Sequence, residues 1–192
     1  DKRIEGLFLI PAAQTRDKTA VSPSDMVRIC DELRPDYDWV IIDSPAGIER
    51  GFRNALAPAD RVFVVTNPEV SAVRDADRII GITEAEEKGP AQLIINRINP
   101  VMVDRGDMIS TTDIVELLAI ELIGIIPEDS NVIVSTNRGL PIVLDGKSQA
   151  GQALQNIARR VMGENVPFLD LNDQGGFFKQ IGKLFSAGGR NE

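Results

Sequence analysis

Asp38-Trp39-Val40-Ile41-Ile42-Asp43-Ser44-Pro45-Ala46-Gly47 is a near-continuous apolar run that delivers an acid at its end and then turns through proline and glycine. Trp39 to Ile42 is apolar on successive residues rather than alternating. That is the pattern of a parallel strand covered on both faces. In open α/β sheets, ligands sit at the carboxyl ends of such strands. An acid there suits a Mg²⁺ position, often through water, and a glycine lets a backbone N–H approach a phosphate. On this reading Asp43 is the metal-side acid and Gly47 the phosphate-side amide. The plainer alternative is a solvated aspartate capping a turn.

Four further apolar runs read as buried strands: Leu7 to Ile10, Arg61 to Thr66, Gln92 to Ile95 and Glu121 to Ile126, the last closed by Pro127. Helical stretches lie between them. Ser22-Pro23-Ser24-Asp25 is a helix start, with Pro in the first turn, and that helix runs to about Leu33. Ile48 to Leu56, Val70 to Glu87, Thr112 to Leu118 (capped by Thr111 or Thr112) and Gln149 to Val161 follow. Strand and helix alternate, so the fold class is α/β, a mainly parallel sheet flanked by helices. Residues 1–163 read as one such domain, 164–176 as a linker containing Asn172-Asp173-Gln174-Gly175-Gly176, and 177–187 as a separate amphipathic helix.

Composition narrows the chemistry. The 192 residues contain 21 Lys plus Arg against 29 Asp plus Glu, one Cys and no His, for a net charge of −8. Without His there is no Ser-His-Asp triad or Cys-His pair, and Cys30 alone supports neither an internal disulfide nor a Cys/His zinc site. The acidic balance argues against nonspecific nucleic-acid binding, which needs a basic face. No apolar run approaches the roughly 18 residues of a spanning helix.

A phosphate site needs a cradle of backbone N–H groups. Gly146-Lys147-Ser148 ends like the GxxxxGK[ST] loop, but Pro141 stands where that loop has its first glycine. Proline has no N–H and a fixed φ. Gly146 therefore reads as the end of a loop and Ser148 as the cap of the helix after it.

The tail reads on its own as a membrane device. At 100° per residue, Phe177, Phe178, Ile181, Leu184 and Phe185 fall within an arc of about 120°, and Lys179 and Lys183 face away from it. From Gly175 onward the net charge is +2, which leaves −10 on the rest. A basic amphipathic helix after a Gly-rich linker on an acidic body fits an anionic lipid surface. The alternative is a helix packed on the domain core.

Longer stretches carry a resemblance. Leu9-Ile10-Pro11-Ala12-Ala13-Gln14-Thr15-Arg16-Asp17-Lys18, Asp43 to Glu49, Thr66 to Arg78, Arg105-Gly106-Asp107-Met108 and Gly124 to Asp129 together resemble the ParA/MinD family of deviant Walker A ATPases, over nearly all of the chain. The resemblance implies a P-loop NTPase-like fold of the SIMIBI class. The family's glycine–lysine loop and switch I aspartate do not occur in these residues, and the chain opens on Asp1 rather than Met. The fold is therefore expected to be incomplete at the N-terminus, with the intact protein an ATPase and this chain inactive alone.

The resemblance also implies ATP and Mg²⁺ as cofactors of the intact protein, with none bound by this chain. It assigns Asp43 to catalysis and, through water, to the metal. Gly47 falls beside the γ-phosphate, and Asn96, Arg97, Pro127, Glu128 and Asp129 at strand ends that hold adenine. Asn96-Arg97 also reads as an ordinary strand-end turn. Glu69, Asp75 and Asp77 match positions that meet partners, or else form a solvated acidic face. Implied partners are a second copy in a homodimer, a MinE-like activator, a MinC-like division inhibitor and anionic lipids at Phe177, Phe178, Lys179, Ile181, Lys183, Leu184 and Phe185. The implied role is division-septum placement from the cytoplasmic face of the cell membrane. The competing reading is a non-hydrolysing, membrane-tethered adaptor of the same fold.

Overall fold

The computed structural model describes residues 4–11 and 21–171. The chain divides into two compact units, Asp1–Ala59 and Asp60–Glu192.

In the first unit two helices pack together, α1 (Pro23–Leu33) and α2 (Arg50–Leu56). Ser22 starts α1 as expected. Its hydroxyl accepts from the Asp25 N–H at 3.2 Å, and its own N–H donates to the Asp25 carboxylate at 3.0 Å, a reciprocal capping box. Hydrogen bonds from the Ser22 hydroxyl and N–H hold the Asp25 carboxyl below its ordinary pKa. Asn54 on α2 donates to the Val21 carbonyl at 2.8 Å, tying the helices at the cap.

The runs Leu7 to Ile10 and Trp39 to Ile42, expected as strands, have no regular secondary structure here. Leu9 is 84% and Ile41 90% exposed. The reason is pairing: an apolar run becomes a strand only when a neighbour takes up its N–H and C=O groups. Neither run belongs to a sheet among the described residues.

The second unit is the expected parallel sheet. Its elements in chain order are β1 (Phe63–Thr66), α3 (Val70–Ala85), β2 (Gln92–Ile98), α4 (Pro100–Asp104), α5 (Thr111–Leu118), β3 (Glu121–Pro127), α6 (Ser130–Asn137), a 3₁₀ turn (Ile142–Leu144) and α7 (Gln149–Val161). The order is β1-β2-β3, all parallel, with Phe63 opposite Gln92 and Gln92 opposite Glu121. Leu93 and Ile95 point to one face, where they join Val64, Leu122 and Ile125 beneath α3 and α5. Ile94 points to the other, where Ala150, Ala153 and Ile157 of α7 cover Ile126. Gly124 makes this close approach possible, because a Cβ there would lie inside the van der Waals shells of Ile157 Cγ1 and Cδ1. Phe63 and Val65 of β1 remain exposed on their side.

Details differ from the sequence reading at element ends. The cap of α5 is Ser110 rather than Thr111 or Thr112, since the Ser110 hydroxyl accepts from Asp113 N–H at 3.1 Å. α3 stops at Ala85, and Glu87 beyond it takes φ +54°. α4, α6 and the 3₁₀ turn lie outside the sequence reading: α4 and the turn are too short for an apolar period, and α6, as long as α5, buries no residue that would mark one. Ser148 caps α7 as expected.

Candidate functional site

Because the strands are parallel, Asn67, Asn96-Arg97 and Pro127-Glu128-Asp129 all emerge at one edge of the second unit's sheet. A bulge shapes that edge. Ile95 pairs with Ile125 and Ile98 with Pro127, so β2 carries one residue more than β3 over this stretch. Arg97 sits in the bulge at φ +59°, a left-handed conformation that costs a non-glycine residue about 1 kcal/mol. Asn96 is half-buried, and its Nδ2 reaches Asn67 Oδ1 at 3.4 Å. Its carboxamide oxygen and second N–H are the kind of paired acceptor and donor that matches a base edge.

Glu128 is bracketed. Asn99 Nδ2 donates to one carboxylate oxygen at 3.0 Å and Arg97 Nη2 to the other at 3.3 Å. The Asn99 bond first, then Arg97, holds the Glu128 carboxyl below its ordinary pKa. Asn99 does double duty: its Oδ1 also accepts from the Val101 and Met102 N–H groups at 3.1 and 3.3 Å, capping α4. The Glu128 N–H donates to the Ile98 carbonyl at 2.9 Å, which fastens the loop to the bulge.

Asp129 joins two helix starts. One oxygen accepts from the Asn131 N–H at 2.8 Å and caps α6. The other accepts from the Ser148 hydroxyl at 2.7 Å and from the Ala150 N–H at 3.4 Å, at the start of α7. Ser148, 1% exposed, in turn accepts from the Gly151 N–H at 3.0 Å. Burial raises the Asp129 pKa, but the bonds from Ser148, Asn131 and Ala150 together outweigh it and leave the carboxyl below its ordinary value.

Thus the structure brings Asn96, Arg97, Pro127, Glu128 and Asp129 together, with Pro127 buried at the root of the loop. Asn67, Asn99 and Ser148 are members that sequence reasoning did not assign. The Asn99-Pro100 pair is a helix-start signal that would have found one of them. Asp43 and Gly47 belong to the first unit, both exposed, Gly47 at φ +93°. Glu69 precedes α3 and Asp75 and Asp77 lie on it, all three exposed. Phe177, Phe178, Lys179, Ile181, Lys183, Leu184 and Phe185 lie outside the described residues.

Residues 6–162 match a family model described as cellulose biosynthesis protein BcsQ. The chain is 54% identical over 171 residues to the septum site-determining protein MinD of Synechocystis, covering 88% of this chain and 64% of that protein. It is 48% identical over 190 residues to MinD of Bacillus subtilis, covering 97% and 71%. The chain belongs to the MinD branch of the ParA/MinD family. Two solved MinD structures share the fold. One is the Aquifex aeolicus MinC:MinD complex, with a TM-score of 0.75, 47% identity, and 78% of this chain and 63% of that one covered. The other is Pyrococcus horikoshii MinD complexed with Mg-ADP, with a TM-score of 0.64, 26% identity, and 72% and 56% covered. The chain thus spans roughly two thirds of the length of the MinD proteins it matches.

Proposed function

We propose that this chain is the larger part of a MinD-type ATPase that acts in placing the division septum. The observation that carries the reading is the carboxyl edge of the parallel sheet, where Asn96 and the Pro127–Asp129 loop converge in a chain related to a MinD that was solved with Mg-ADP. Asn96 would face the base with its carboxamide. Both carboxylates of the loop are already hydrogen-bonded within the chain, so Glu128 and Asp129 would shape the loop while its main-chain groups face the nucleotide. Asp43, through water, and Gly47 would serve Mg²⁺ and the terminal phosphate. Glu69, Asp75 and Asp77 would face a MinE-like activator or a MinC-like inhibitor, MinC being the partner in the Aquifex complex. Asp75 and Asp77 are two residues apart and so lie on different flanks of α3. A partner using this helix would therefore touch one flank at a time.

The tail from 177 to 187 would place the protein at the cytoplasmic membrane surface. Each basic residue near an anionic leaflet contributes about 1 kcal/mol, so one copy binds weakly and a dimer gains from two. No helix among the described residues is long and apolar enough to cross a membrane. A non-hydrolysing, membrane-tethered adaptor of the same fold is the competing reading, and turnover separates the two.

The test is Mg-ATP calorimetry on this chain and on a form extended by the amino-terminal segment of a MinD relative. Binding and turnover by the extended form are expected, with Asp43→Ala lowering turnover by about 10²-fold. An extended form that binds without turnover favours the adaptor.

A further inference from the structure

One side chain of α7, Arg160, gathers three backbone carbonyls. Arg160 Nε donates to the Val166 carbonyl at 2.8 Å, Nη2 to the Pro167 carbonyl at 2.8 Å, and Nη1 to the Ile123 carbonyl of β3 at 3.0 Å. Its guanidinium lies 4.2 Å from the centre of the Phe168 ring. A planar fork with donors on three sides and a flat stacking face is what arginine offers and lysine does not. Phe168 and Leu171 pack against the core cluster on the α3–α5 face of the sheet, and Leu169 against the cluster under α7. Residues 166–171 therefore run across the border between the two faces, tied to edge strand β3 through Arg160.

We propose that Arg160 is a clasp that sets the point from which the carboxy-terminal tail leaves the body. This rests, for its functional meaning, on the membrane reading above. With the clasp closed, the linker expected from sequence is cut from 164–176 to 172–176, which lowers its greatest reach from about 45 Å to about 18 Å. A body on the shorter tether has less freedom to turn over the lipid than one on the longer tether. Arg160 is a positioning residue in this scheme, and its neighbour Arg159, which pairs at 2.8 Å with Glu164, is the natural control.

The experiment is limited chymotrypsin digestion of the full chain, read by mass spectrometry at the Phe168–Leu169 bond, with and without phosphatidylglycerol vesicles. Arg160→Ala is expected to speed that cleavage at least about tenfold, and Arg159→Ala by less than about twofold. If Arg160→Ala fails to fold, Arg160→Lys, which keeps the charge but loses the fork, gives the same comparison. Equal cleavage in wild type and the Arg160 variant overturns the clasp and assigns the hold to Phe168 and Leu171 burial. In wild type, vesicles are expected to leave the bond protected; cleavage that rises on vesicle binding means the tail pulls the clasp open, and overturns its role. Co-sedimentation, with Phe178→Glu/Leu184→Glu as the non-binding control, judges the membrane reading separately. Wild type that does not sediment refutes that reading, and the digestion without vesicles still decides the clasp.

Discussion

Replacing Asp129 by alanine tests whether the loop at the carboxyl edge of the sheet is held by the pin between α6 and α7. The substitution removes the α6 cap on the Asn131 N–H, a loss of about 1 kcal/mol. It also leaves the Ser148 hydroxyl, 1% exposed, without its acceptor, which costs about 1–3 kcal/mol. The expected total is about 2–4 kcal/mol. Ser148→Ala alone removes the same bond and the cap on Gly151 N–H, for about 1–2 kcal/mol. The double variant has no orphaned hydroxyl, so its loss should fall short of the sum by about 1 kcal/mol or more. The assay is equilibrium urea unfolding followed by far-ultraviolet circular dichroism, with amide exchange at 130–137 and 149–152 to localise the effect. Asp129→Asn should fall between wild type and Asp129→Ala. Its oxygen still caps Asn131, but its N–H₂ group faces the Ala150 N–H, a donor against a donor. Losses that add to within about 0.5 kcal/mol would refute the pin.

Gly124→Ala should destabilise the chain by about 1–3 kcal/mol, because the new methyl overlaps Ile157. Ile157→Val, which removes Cδ1, should recover part of that loss; unfolding midpoints of the two singles and the double decide it. The loop also has a pH signature. Glu128 and Asp129 have depressed folded-state pKa values, so their contribution is complete above the ordinary carboxylate range and disappears as pH falls through the folded values. Amide protection at 128–131, corrected for intrinsic exchange, should be flat from pH 8 to 5 and decline only below about pH 4. With no His in the chain, a decline starting near pH 6 would contradict the assignment.

The second unit's sheet was legible because its strands are short, continuously apolar and separated by capped helices, and the capping chemistry is local. Ser22 and Ser148 each reach a backbone N–H three residues on, and that spacing is visible in a linear string. Two runs with the same apolar pattern, at 7–10 and 39–42, did not become strands among the described residues. Apolarity records that a segment tends toward burial, not which backbone will pair with it. Strand-end position and resemblance single out Asn96, Arg97, Glu128 and Asp129 as candidates. Their connections are not legible that way, since Glu128 meets Arg97 and Asn99 across 31 and 29 residues, and Asp129 meets Ser148 across 19.

The sequence by itself determined the class of fold, the capped starts of α1 and α7, and the end of β3 at Pro127. These depend on periodicity and on side chains reaching a few residues along the chain. Tertiary structure alone decided what the polar residues at those ends do. The bulge that sets Arg97 at positive φ, the bracket on Glu128, the pin at Asp129 and the Arg160 clasp all depend on which strand lies beside which. A hydrogen bond between distant residues forms only after packing has paid the entropy of bringing their backbones within 3 Å or so of contact.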